Sequence, residues 1–126
     1  MKWWHTPKFN MPTNDLVRLR HILDAARQAV AFIQGRGRAD LDQDAMLSLA
    51  LIRLLEIIGE AARGVSDTTR ASHPEIAWIQ MAGMRDRLIH GYYDVNLDIV
   101  WQTTNQDLPP LIAQLERILP SPPSTP

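Results

Sequence analysis

The sequence predicts an all-α protein, an up-and-down bundle of four to five helices that pairs as a homodimer. Three observations carry the helical class. Apolar residues recur at intervals of three and four along most of the chain, no segment sustains the two-residue alternation of a half-buried strand, and capping or helix-stopping residues separate the periodic stretches. At 126 residues the chain suits one domain with one core.

Residues 1–12, MKWWHTPKFNMP, are basic and lack an apolar run, so they read as a flexible arm and not as a secretory leader. The helical domain is expected over 13–119. Thr13 or Asn14 is placed to cap a first helix over about 14–34, whose Leu16, Leu19, Leu23, Ala26, Val30 and Ile33 form one stripe. Gly35 and Gly37 end it in a loop that also holds Arg36 and Arg38. A second helix from about Leu41 to Arg63 is apolar nearly all round, with Arg53, Glu56, Glu60 and Arg63 gathered into one narrow, ion-paired stripe. Such a helix is central in its domain or covered by a second copy. Ser66 caps a short helix ending near His73, and after Pro74 a further helix is expected from about Glu75 to His90, stopped by Gly91. Asp94 or Asn96 caps a segment through Val95, Ile99 and Trp101 to about Asp107, and Pro109-Pro110 opens a last helix ending near Leu119. Residues 120–126 are proline-rich and are expected to be disordered.

Composition narrows the function. With 45% hydrophobic and 21% charged residues the chain is neither disordered nor membrane-spanning. The absence of cysteine excludes disulfide scaffolds, thiolate zinc sites and thiol nucleophiles, and agrees with a cytoplasmic protein. A net charge of −1 argues against bulk electrostatic coating of nucleic acid, although residues 1–40 carry seven basic and three acidic side chains. Phosphate-cradling glycine loops and the serine-elbow motif are absent. Glu56 and Glu60 lack a histidine companion at ligand spacing, so no metal site is expected. His5, His21 and His73 lie in unremarkable surroundings.

The run Arg85-Asp86-Arg87-Leu88-Ile89-His90-Gly91-Tyr92-Tyr93-Asp94 differs. It supplies a permanent phosphate-binding cation, an imidazole titrating near neutrality, a carboxylate and two phenols. On a continuous helix Asp86 and His90 share a face, Arg85 and His90 diverge by about 140°, and Tyr92 returns to within about 20° of Arg85. A two-fold axis would bring Arg85 and His90 together more easily than one helix does. Spacing alone leaves open a site or a decorated helix end.

The string GMRDRLIHGYYDV, with Ile57 to Ala62 (IIGEAA), HPEIAW and LDIVWQTTNQDLPPL around it, resembles the HepT-like branch of the HEPN superfamily over about residues 13–119. The resemblance implies a homodimeric, metal-independent ribonuclease toxin encoded beside a minimal nucleotidyltransferase antitoxin. The family motif is an arginine, four to six residues, a histidine and a tyrosine two beyond. It falls on Arg85, His90 and Tyr92, with Asp86 as the supporting polar residue. By the same resemblance Arg85 and His90 are catalytic, and Tyr92 is the phenol that the partner enzyme adenylylates. The partner alone uses ATP, and no cofactor is implied for this chain. Aspartate stands at 86 where such proteins often have asparagine, which adds negative charge near a site meant for RNA. The groove for RNA is expected to draw on Arg85 and Arg87 of both subunits, with some of Arg36, Arg38 and Arg27. Two other readings remain: a catalytically inactive HEPN dimer serving as platform or target of a nucleotidyltransferase, and an unrelated helical dimer.

Overall fold

The computed structural model describes residues 11–90 and 94–120, and the backbone alone at 89 and 90. The expected N-terminal arm, apart from residues 11 and 12, and nearly all of the expected disordered tail lie outside the described residues. Helix α1 spans Thr13–Phe32 and α3 Ala45–Arg63, and these two form the largest helix pair. Between them sits a single turn, α2 (Asp40–Gln43). Three short helices follow: α4 (Asp67–Ser72), α5 (Trp78–Ala82) and α6 (Met84–Leu88). A two-residue ladder then pairs β1 (Ile89–His90) with β2 (Asp94–Val95), antiparallel, with Ile89 opposite Val95 and His90 opposite Asp94. The chain closes with α7 (Leu97–Gln102), a π-helical turn (Thr103–Asp107) and α8 (Leu108–Ile118). Among the described residues, no helix is long and apolar enough to cross a membrane.

The core follows the apolar stripes. Leu19, Leu23, Ala26 and Ile33 of the first stripe are buried, against Leu51, Leu55, Ile58 and Ala62 of α3 and Leu111 and Leu115 of α8. The long helices run up and down. Asp15 near the start of α1 bonds Ser66 just past the end of α3, while Arg20 bonds Pro120 O and Arg27 pairs with Glu116 of α8, so α1 is antiparallel to both. Helix α3 is central, in contact with α1, α2, α5, α6 and α7. Its N-terminal end nevertheless leaves Met46 84% and Leu49 66% exposed.

Several boundaries differ from expectation, each for a local reason. Pro12, not Thr13 or Asn14, occupies the N-cap of α1, with no side-chain bond. Helix α1 ends at Phe32 with Ile33 as its C-cap, and Gly35 turns the chain just beyond at φ 73°, where a side chain would be strained. The second predicted helix breaks at Asp44, which is extended and accepts from the Leu47 N–H at 3.1 Å, acting as the N-cap of α3. Ser66 caps α4 through the Thr69 N–H. The helix expected over 75–90 is two helices and a strand. Gly83 ends α5, and past Leu88 the chain turns into the ladder, where the Asn96 N–H bonds Leu88 O at 2.8 Å. Asn96, not Asp94, caps α7. Pro109 and Pro110 stand in the first turn of α8, as expected, although the helical span is continuous from Leu97 through the π-helical turn to Ile118.

Candidate active site at the end of α6

Helix α6 is one turn long and is fixed at both ends by burial. Met84 and Leu88, four apart, point into the core, so the three residues between them, Arg85, Asp86 and Arg87, are all exposed. Its seat is α3. A Cβ at Gly59 would stand 3.1 Å from Met81 O, 3.6 Å from Met84 Cβ and 3.9 Å from Arg85 N, so the backbone of the motif helix lies directly on a glycine. Beyond Leu88 the chain is extended, and the ladder sets the His90 backbone opposite Asp94. Residues 91–93 connect the two strands. They include Tyr92 and Tyr93 and lie outside the described residues, as does the side chain of His90.

This placement changes the geometry expected from sequence. The helix ends at Leu88, so the rotation of about 100° per residue no longer relates Asp86 to His90 or Arg85 to Tyr92. Asp86 instead faces Arg63 of α3, with Arg63 Nη2 3.7 Å from its Oδ2. Arg63 also donates from Nε to Ala82 O at 2.9 Å. Of the stripe expected along α3, the Arg53–Glu56 pair forms at 3.8 Å, while Arg63 turns to α5 and α6. Gly59 and Arg63 were not foreseen as site residues. Gly59 lies inside the IIGEAA string that flanks the motif, and Arg63 stands four residues on, one helical turn away.

The basic residues expected to make an RNA groove are mostly engaged. Arg38 donates to Asp98 Oδ1 at 2.7 Å and to Asp42 Oδ2 at 3.0 Å, and the bond to Asp98 holds its guanidinium above the ordinary arginine range. That bond ties the loop after α1 to the first turn of α7, immediately past β2. Arg36 pairs with Asp44 at 3.5 Å and Arg27 with Glu116 at 3.3 Å. Arg87 lines a cleft of about 490 Å³ with Met81, Met84, Leu108 and Leu111, whereas Arg85 is not among its walls. The two motif arginines therefore serve different surfaces. Among the described residues no group of three or more His, Asp or Glu gathers as a metal site. Glu60 lines a groove of about 410 Å³ with Arg18 and His21, and His73 faces Glu75 at 3.5 Å.

What the arrangement supplies is an exposed guanidinium on a seated turn, followed five residues on by the histidine of a strand and seven residues on by the first tyrosine of the connection. Comparison with known proteins shows the family of the chain. The family model described as Ribonuclease HepT-like matches residues 22–118. A protein of Caldanaerobacter subterraneus subsp. tengcongensis named "Putative RNase TTE0752" is 39% identical over 80% of this chain and 90% of its own length. One from Thermococcus cleftensis named "Probable ribonuclease HepT" is 43% identical over 60% of this chain and 68% of its own. A third, "Putative RNase MJ1380" of Methanocaldococcus jannaschii, is 32% identical over 78% of this chain and 90% of its own. No solved structure matches the chain.

Proposed function

Because the chain belongs to the ribonuclease HepT-like family, we propose that it is the toxin of a toxin–antitoxin pair, a metal-independent endoribonuclease acting through Arg85 and His90. The observation that supports this reading is Arg85 itself: an exposed guanidinium on a helix held at both ends by buried residues, five positions before the only histidine of the motif. In the proposed reaction the His90 imidazole takes the proton from a ribose 2′-hydroxyl. The 2′-oxygen bonds to the adjacent phosphorus as the bond to the 5′-oxygen breaks, leaving a 2′,3′-cyclic phosphate, and the departing oxygen takes up a proton to become a 5′-hydroxyl. Arg85 offsets the charge gathering on the phosphoryl oxygens. The substrate supplies the nucleophile, so the step requires no metal-bound water.

Two further parts complete the proposal. A second copy covers the apolar end of α3, where Met46 and Leu49 are exposed, and sets two motifs in one cleft. A cognate nucleotidyltransferase, using ATP, transfers AMP to Tyr92, which puts phosphate charge and bulk where RNA enters. The test is cleavage of end-labelled RNA by the purified chain in excess EDTA, with 2′,3′-cyclic phosphate ends expected. An intact substrate would overturn the enzyme reading in favour of an inactive platform for the nucleotidyltransferase.

A further inference from the structure

Arg63 closes the last turn of α3 and reaches away from it. Its Nε bond to Ala82 O, 2.9 Å, satisfies a carbonyl at the end of α5, and its Nη2 lies 3.7 Å from Asp86 Oδ2 in α6. One turn earlier on the same face, Gly59 admits the backbone of Met81 and Arg85 to close approach. Positions 59 and 63 thus form the seat of the corner between α5 and α6, the corner that carries Arg85.

The pair with Asp86 lies in solvent, with Arg63 54% and Asp86 81% exposed, so it adds little to stability. Its position gives it another use. Asp86 is the residue next to Arg85, and an uncompensated carboxylate there repels the phosphate that Arg85 must bind. Arg63 is the cation that faces it.

We propose that Arg63 is a positioning residue for this site: it holds the α5–α6 corner through Ala82 O and offsets the charge of Asp86, so that Arg85 meets RNA from a surface that is not repulsive. The proposal rests on the ribonuclease reading. It assigns to a residue twenty-two positions upstream of the motif arginine a role in substrate binding, and it explains how an aspartate is accommodated beside that arginine.

Kinetics of RNA cleavage by the full-length parent, Arg63→Gln, Asp86→Asn and the double variant test it. Arg63→Gln is expected to raise KM about tenfold with kcat within about threefold, and adding Asp86→Asn to return KM to within about threefold of the parent. The defect should shrink at about 0.5 M salt, where the repulsion is screened. A loss of mere structure would respond neither to salt nor to the second substitution. An unchanged KM in Arg63→Gln, or a rise that persists in the double variant, overturns the proposal. A parent that neither binds nor cleaves RNA instead overturns the ribonuclease reading. The seat is then judged without RNA by hydrogen exchange of the Arg87 amide, which bonds Gly83 O at 3.2 Å. Exchange at least about fivefold faster in Arg63→Ala is expected, and unchanged exchange overturns the seat too.

Discussion

Asp15 and Thr69, far apart in sequence, are joined inside the protein by a 2.6 Å hydrogen bond from the Thr69 hydroxyl to Asp15 Oδ2. The same carboxylate accepts the Ser66 hydroxyl at 2.6 Å and the Ser66 N–H at 3.1 Å, and it is only 2% exposed. It links the start of α1 to the capped start of α4. Burial alone would raise the pKa of Asp15, but the bonds from Ser66 and Thr69, with Arg18 nearby, outweigh it and hold the carboxyl below the ordinary value of 3.8.

A carboxyl with a depressed folded-state pKa contributes stability that is complete above its unfolded value and is lost as pH falls through the folded one. The Asp15 contribution is therefore complete at neutral pH, begins to fall as pH drops below about 4, and is lost as pH passes down through the lower folded-state value. Asp15→Ala is expected to lower stability by about 2–4 kcal/mol at pH 7, since it strands the buried Thr69 hydroxyl and the half-buried hydroxyl and N–H of Ser66. Urea unfolding of parent and variant at equal protein concentration measures this, and the gap between them should narrow at pH 3. A constant gap across that range would refute the assignment.

His90→Ala and Arg85→Ala should each lower RNA cleavage by about 10²–10⁴ while leaving the fold and melting temperature close to the parent's. Arg85 is exposed, so its truncation leaves no cavity in the core. Rates for the two variants in EDTA, beside circular dichroism, check this. A His90→Ala chain as fast as its parent removes histidine from the mechanism.

Tyr92→Phe should keep ribonuclease activity and escape silencing by the partner enzyme. Peptide mass mapping after incubation with nucleotidyltransferase and ATP should locate the added AMP on Tyr92 and not on Tyr93. Modification of Tyr92→Phe to the parent's extent would refute the assignment.

Met46→Glu with Leu49→Glu should convert a dimer into a monomer near the 14.3 kDa chain mass, because both side chains are exposed on one stripe of α3 and removing them exacts no cost from the core. Light scattering reads the mass directly. A parent that is already monomeric at micromolar concentration contradicts the dimer. Loss of cleavage on monomerisation would tie the second copy to activity.

The sequence by itself determined the helical class and most of the core, with Leu16 and Val30 of the expected stripe only half-buried and Leu49 exposed. Periodicity is a local property: Leu19, Leu23 and Ala26 repeat at helical spacing whatever they pack against, and Ser66 or Gly35 acts on its own neighbours. The motif was legible because Arg85, His90 and Tyr92 lie within one short run whose flanks are distinctive. What the tertiary structure decided were the ends of elements and the partners of charges. Leu88 is the last helical residue of its segment because Asn96 and Val95 return to pair with it and Ile89, a short hairpin that helical periodicity does not signal. Arg63 faces Asp86 rather than Glu60, Arg38 faces Asp98, and Asp15 is buried under Ser66 and Thr69, because packing α1, α5 and α7 against α3 brings those groups together. Charge pairing depends on distance in space, and a sequence gives that distance only within a turn or two of helix.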